Sequence, residues 1–344
     1  MKPSALALEK EGLFIERLDH EFAAGSLAEL GEGAAKDIPW RLWRKALYAP
    51  LHEFLSRPGK EFRAELLTQC WHLGGRKDPP PPELALAVEA LHAGSLIIDD
   101  IEDASLERRG RPALHHMTGV PAALNAGNWL YFWPFRLFQQ VETSVEIRAA
   151  GYRLMTKCLL ECHYGQALDL SVRLSDLEQS EVAGVVRAIT ELKTGSLMAL
   201  SAGLGALASG ANENIVRAAV RFGRELGTGL QMFDDLSGLT REDRYAKGLE
   251  DLGHATPTWP WAWLSTDLDE QRFASLQAAV REVETGKSAC ALLKKLGALV
   301  APHAKRRVHA FLEHAFVRFA NALPAGPQLG ALRLELERLE RSYV

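Results

Sequence analysis

Cysteine is scarce in this chain. Cys70, Cys158, Cys162 and Cys290 are the four in 344 residues, with no CxxC pair and no zinc-ligand spacing. That pattern excludes a disulfide scaffold and leads us to expect a reduced, cytoplasmic protein. A basic surplus is also missing: 40 Lys and Arg stand against 44 Asp and Glu, a net charge of −4. A nucleic-acid partner is therefore not expected. Sustained alternation of β-branched and polar residues is absent, so few strands are expected. Glu9, Lys10 and Glu11 interrupt the place where the apolar core of a secretory signal would run. The uncharged stretch from Thr194 to Asn212 is long enough to span a bilayer but is built largely of Gly, Ser and Ala. It suits an interior helix packed closely on its neighbours, and no transmembrane segment is expected.

What remains is a composition of 47% apolar and 24% charged residues, ordinary for a globular chain with a sizeable core. Helical patterns recur along it. ELALAVEALHAGSLIIDDIED follows the proline run Pro79 to Pro82, which ends one helix and can open the next. Ile147–Leu174 and Ile215–Leu236 are long and apolar on most sides, as central helices of a bundle are. An all-α fold is expected, a single large helical bundle around a central cavity. Residues 1–40 read as a helical extension and 41–344 as the main domain. PTWPWAWLSTDLDEQ reads as a loop and helix start, and LPAGPQLG as a helix connection.

Acids sit at the ends of these greasy helices. Asp99, Asp100, Glu102 and Asp103 follow Leu96-Ile97-Ile98 directly. Asp99 and Asp103 stand four apart, on one helix face, where two carboxylates repel unless a cation lies between them. Hard carboxylate oxygens suit Mg2+, which fills its remaining sites with water and substrate phosphate. A second pair, Asp234 and Asp235, follows Gly227, Gly229 and Gln231 in another nearly uncharged helix. Two such pairs are expected to face one cavity with an anionic substrate between them. Cations accompany them: Arg108, Arg109 and Arg111 after the first pair, Lys60 and Arg63 in RPGKEFR, Lys193 before TGSLMAL, and Lys247 after the second pair. They suggest recognition of more than one diphosphate, carried on a hydrocarbon tail.

HAGSLIIDDIEDASLERRGRPALHHMTGVPAALNAGNWLYF, together with RPGKEFR, HYGQALDL, LKTGSL and LQMFDD in that family order, resembles the polyprenyl diphosphate synthases of the isoprenoid synthase superfamily. Among them it is most similar to the eukaryotic-type geranylgeranyl diphosphate synthases. The resemblance implies the isoprenoid synthase fold and a homodimer. It implies condensation of an allylic diphosphate with isopentenyl diphosphate, with geranylgeranyl diphosphate as the expected product and three Mg2+ ions. Asp99 and Asp103 would be ligands from one wall and Asp234 from the other, supported by Asp100 and Asp235. Arg108 would face the leaving diphosphate. Gly59, Lys60, Arg63, His92 and Arg109 would hold isopentenyl diphosphate. Lys193, Thr194 and Gln231 would line the reacting centre, with Gln166 and Asp169 near the metals and Lys247 on the allylic diphosphate. Gly94 and Ser95, small residues just before Asp99, would let the tail pass fifteen carbons. Tyr131, Phe132 and His163 would form the cavity floor.

Two departures are visible. The second motif is DDLSG rather than DDxxD or DDxxN, so Gly238 offers no ligand where the family has one; Ser237 and Glu242 are nearby substitutes. GLEDLGHATPTWP lacks the family's second lysine while Lys247 and Asp251 remain. These losses keep open a class I terpene cyclase, or a prenyltransferase acting on a preformed prenyl diphosphate. Gly238 replaces the serine a cyclase motif would carry, and the isopentenyl-site residues favour elongation. A non-catalytic subunit is a third reading, disfavoured by the intact DDIED and RRG.

Overall fold

The computed structural model describes residues 5–23, 26–27, 29, 33–35, 37–59, 62–323 and 327–343. Helix dominates them. The chain forms two compact units, residues 1–65 with 80–148 and residues 66–79 with 149–344.

The first unit contains α1 (Ala5–Glu21), α2 (Trp40–Trp43), a π-helical stretch Arg44–Tyr48, α3 (Ala49–Leu55), the start of α4 (Phe62–Leu73), α5 (Pro82–Glu102), α6 (Leu114–Thr118) and α7 (Val120–Gln139). Pro82 opens α5 at a position where a missing N–H costs nothing. The buried stripe of α5 includes Ala87, Ala90, Ala93 and Ile97. It shares one core with Ala123, Ala126, Leu130 and Trp133 of α7 and with Phe14 and Leu18 of α1. Leu18 is fully buried, worth about 2 kcal/mol. Between α5 and α7 the backbones nearly touch. A Cβ on Gly94 would lie 2.9 Å from the Gly127 carbonyl oxygen, and one on Gly127 would lie 2.8 Å from Ile98 Cδ1.

The only strands among the described residues are β1 (Glu107–Arg108) and β2 (Arg111–Pro112), paired antiparallel with Arg108 opposite Arg111. Arg109 (φ 55°) and Gly110 (φ 74°) form the turn. Two successive left-handed residues make one of the tight two-residue turns whose twist matches that of the flanking strands.

The second unit contains the rest of α4, then all but the first turn of α8 (Val145–Ser171), α9 (Gln179–Thr190), a π-helical stretch Glu191–Gly195, α10 (Ser196–Ala208), α11 (Glu213–Thr240), α12 (Tyr245–Gly253), α13 (Trp259–Asp267), α14 (Glu270–Glu284), α15 (Cys290–Asn321) and α16 (Pro327–Tyr343). Nearly all of α10 is buried, as its small residues led us to expect. Cβ positions on Gly205 and Gly223 would fall 2.2 Å from the Leu67 carbonyl oxygen and 2.4 Å from that of Met198. Asn212 caps α11 by accepting from the Ile215 N–H at 3.1 Å. The tryptophan-rich segment, expected as a loop and helix start, turns helical almost at once. Trp259–Asp267 is a helix with Trp259, Trp261 and Trp263 buried, because Pro260 at its first turn starts a helix as readily as it ends one. No described helix is long and apolar enough to cross a membrane.

Candidate active site

In the first unit the site is built on the C-terminal end of α5. Asp99 and Asp100 lie in its last turn; Asp103, exposed, is the residue that ends the helix and donates its N–H to the Asp99 carbonyl. Asp100 is 1% exposed. Its Oδ1 accepts both Nε (2.8 Å) and an Nη (2.5 Å) of Arg108, while its Oδ2 is buried with no partner. Burial pushes the Asp100 carboxyl up despite the opposing pull of Arg108. Arg108 also stands 3.5 Å from Asp99 Oδ2. The hairpin turn thus delivers one guanidinium to the aspartates and presents the next, Arg109, elsewhere.

Arg109 donates to the Arg57 carbonyl at 3.1 Å. Its guanidinium lies against Gly59, where a Cβ would sit 3.3 Å from an Nη. A side chain at position 59 would crowd that guanidinium and push it aside by a few tenths of an ångström. Burial and the neighbouring Arg63, Arg108 and Arg57, opposed by Glu89, lower the Arg109 pKa. His92 on α5 is held well below its ordinary value by burial and by Arg63, Arg109 and Arg108, so it is neutral at pH 7. A neutral imidazole among three guanidiniums leaves a strongly cationic patch suited to an anion of multiple charge. Lys60 lies outside the described residues. Ser95 donates to the His92 carbonyl at 2.8 Å. Tyr131 Cδ1 lies 3.4 Å from the Cβ position of Gly94, so these two expected chain-length residues are neighbours. Phe132, the next residue of α7, is 73% exposed.

In the second unit the π-helical stretch Glu191–Gly195 carries Lys193 and Thr194. Such bulges redirect side chains out of the helical register and recur at functional sites. A Cβ on Gly165 of α8 would fall 2.5 Å from the Lys193 backbone nitrogen, so α8 presses directly on the bulge. Lys193 Nζ donates to Asp169 at 2.6 Å. Thr194 Oγ1 donates to Gln231 Oε1 at 3.0 Å, and Gln231 Nε2 donates to Asp235 Oδ1 at 2.8 Å. Asp235 Oδ2 accepts the Trp259 N–H at 3.0 Å, and the Trp259 indole donates to Thr190. Burial raises the Asp235 carboxyl against the opposing pull of Lys247, the Trp259 N–H and Gln231. Gln166 lies half-buried on α8, and His163 is exposed there with Nδ1 2.8 Å from the Leu159 carbonyl oxygen.

Asp234 carries two cations, Arg244 at 2.7 Å on Oδ1 and Lys247 on Oδ2. Burial works to lower the Lys247 ammonium, and Asp235, Asp234 and Asp251 more than reverse it. Burial pushes the Asp251 carboxyl up to about 7, with Lys247 opposing. Of the substitutes for a fifth-position ligand, Ser237 spends its hydroxyl on the Asp234 carbonyl at 2.7 Å, and Glu242 is exposed in a short 3-10 turn. Gly238 meets Gly248 of α12 backbone to backbone. A Cβ on Gly248 would fall 2.2 Å from the Gly238 carbonyl oxygen.

Sequence reasoning missed four contributors: Arg57, Glu89, Arg244 and Trp259. Arg57 was discoverable, since a charge wedged between the apolar Phe54-Leu55 and Pro58-Gly59 needs a reason. Arg244 sits in the charge run REDR and looks solvated there. Trp259 acts through its backbone N–H, which no residue type announces.

The geranylgeranyl diphosphate synthase of Sulfolobus acidocaldarius is 31% identical over 201 residues, 58% of this chain and 60% of that protein. Geranylgeranyl pyrophosphate synthase D of Phomopsis amygdali is 30% identical over 264 residues, 74% of this chain and 59% of that one. The matched region thus spans about 60% of the length of these curated relatives. Among solved structures, geranylgeranyl pyrophosphate synthetase from Pyrococcus horikoshii superposes with a TM-score of 0.68 at 24% identity, covering 97% of this chain and 98% of that one. Heptaprenyl diphosphate synthase from Staphylococcus aureus superposes with 0.75 at 17%, covering 98% and 99%. These structures establish the shared all-α fold. The polyprenyl synthetase family matches residues 44–295, most of the chain, and to that family this protein belongs.

Proposed function

We propose that this chain joins an allylic diphosphate to isopentenyl diphosphate, forming a geranylgeranyl-length product, as a cytoplasmic homodimer. The observation that carries this over a cyclase is the cluster of Arg109, Arg63 and neutral His92 beside Gly59. It offers a seat for a second diphosphate, which a cyclase does not need. Asp99 and Asp103 in the first unit and Asp234 in the second are the residues we assign to magnesium, with three ions as the expected number. The donor set fits: all are carboxylates, and the buried, unpartnered Asp100 Oδ2 marks the α5 end as a place that wants a cation. Bound magnesium would supply positive charge to the departing diphosphate. Arg108 and Lys247 would stabilise the same developing anion, and Thr194 and Gln231 would orient oxygen dipoles toward the allylic cation. The small Ser95 would leave the tail room past fifteen carbons, whereas Gly94 serves the close approach of α5 to α7, and Tyr131 packed there would stop the tail near twenty. Leu124 and Phe132 on α7 and Leu160 and Tyr164 on α8, all exposed, supply apolar surface for a second copy.

The test is incubation with Mg2+, farnesyl diphosphate and labelled isopentenyl diphosphate. Label in a twenty-carbon prenyl diphosphate is expected. Unlabelled hydrocarbon would turn the assignment to a cyclase, and absence of turnover with every allylic substrate to a non-catalytic subunit.

A further inference from the structure

Arg57 is the largest charged side chain buried among the described residues, 1% exposed. A guanidinium removed from water needs a counter-ion and acceptors for its donors. Glu53, one turn earlier on α3, supplies the first: its Oε2 accepts an Nη at 2.8 Å and both its oxygens lie 3.2 Å from Nε. Met117 Sδ of α6 lies 3.4 Å from Nη2, and the remaining acceptors come from the hairpin. Nη1 donates to the Arg108 carbonyl at 3.0 Å, and Nη2 to the Pro112 carbonyl at 2.8 Å. One side chain thus grips the last residue of each strand that flanks the Arg109–Gly110 turn. Phe54 lies beneath it, 5.2 Å from ring centre to guanidinium carbon. The same residue's main chain completes the link, because the Arg57 carbonyl accepts Arg109 Nη1 at 3.1 Å.

Arg57 therefore holds the hairpin backbone with its side chain and the Arg109 guanidinium with its carbonyl. Arg109 needs both. Its turn has left-handed φ, and its side chain sits among like charges that would otherwise drive it into solvent. We propose that Arg57 is a positioning residue for the isopentenyl diphosphate seat, fixing Arg109 over Gly59 in the orientation that receives the diphosphate. This rests on the elongation reading above and names a residue that acts through another rather than on substrate.

The test is calorimetric titration of the full chain with isopentenyl diphosphate, comparing wild type, Arg57→Lys, Arg109→Lys and the double variant, with helicity and melting followed in each. Lysine keeps the charge and loses the fork. Arg57→Lys is expected to raise Kd by about tenfold or more. If Arg57 works through Arg109, the losses do not multiply, and the double variant binds no worse than Arg109→Lys alone. An anchor that only stabilises the fold would lower melting and leave Kd unchanged, or give losses that multiply; either result overturns the proposal. Glu53→Gln is the second variant, loosening Arg57 while keeping an acceptor. It is expected to raise Kd by about threefold or more, and unchanged binding in a folded Glu53→Gln chain overturns the proposal even if Arg57→Lys does not fold. Failure of the wild type to bind isopentenyl diphosphate would overturn the elongation reading and this role together. Binding by wild type with unaltered Arg57→Lys would overturn this role alone.

Discussion

Single side chains set the electrostatics around the candidate residues of each unit. The Asp251 carboxyl titrates at about 7 in the folded chain, against 3.8 for an ordinary aspartate. Between those values the folded state binds a proton the unfolded state has released. Its contribution to stability is full below about pH 4 and is lost as pH rises through 7. In metal-free protein, Asp251→Asn should therefore gain on the wild type between about pH 5 and pH 8, on the order of 1–3 kcal/mol given the coupled neighbours. Thermal melts at the two pH values check this. Arg244 competes for Asp234 with any bound cation. Arg244→Gln should lower the Mg2+ concentration for half-maximal turnover by about threefold, with a melting change worth under about 1 kcal/mol because the pair is part-exposed. A magnesium titration of rate reads the first effect and calorimetry the second. Tyr131 packs against position 94, so Tyr131→Ala should lengthen the product, seen by chromatography of the extracted lipids.

At the scale of elements, glycines decide which helices touch. The fifth position of DDLSG reads in sequence as a lost ligand. In three dimensions Gly238 is where α11 meets Gly248 of α12, and that contact brings Arg244 and Lys247 onto Asp234. The two glycines are not equivalent. A Cβ on Gly248 would overlap the Gly238 carbonyl at 2.2 Å, whereas one on Gly238 would stand 3.3 Å from Gly248. Gly248→Ala should cost about 1–3 kcal/mol and loosen Lys247, while Gly238→Ala should cost clearly less; melting curves of the two variants check the order. The DDIED and LQMFDD segments drew notice through the four-residue spacing of Asp99 and Asp103 and through their order among the other motifs, and their helices were legible because their apolar stripes are long. The π-helical bulge at Glu191–Gly195 was not legible. Nothing in ELKTG marks it, and it depends on Gly165 letting α8 press against Lys193. The hairpin was invisible for the same reason, since two residues per strand cannot display alternation.

For the whole molecule, helical periodicity predicted the all-α class, whereas the division into two compact units arises from which helices share a core, something no local pattern encodes. The exposed Leu124, Phe132, Leu160 and Tyr164 lead us to expect a dimer by sedimentation. Phe132→Glu with Tyr164→Glu should give monomers, since two charges cannot be buried unpaired in an apolar interface.

The turn residue Arg109 has one more consequence. A side-chain-bearing residue held at φ 55° sits about 1 kcal/mol above one without a Cβ, and its guanidinium crowds three others of its own sign. Arg109→Gly would relax both, and would give up the bond to the Arg57 carbonyl and the attraction of Glu89 in exchange. Strain relieved and anchorage lost meet in the same few atoms, so heat resistance of this loop should barely change while its hold on an anion disappears.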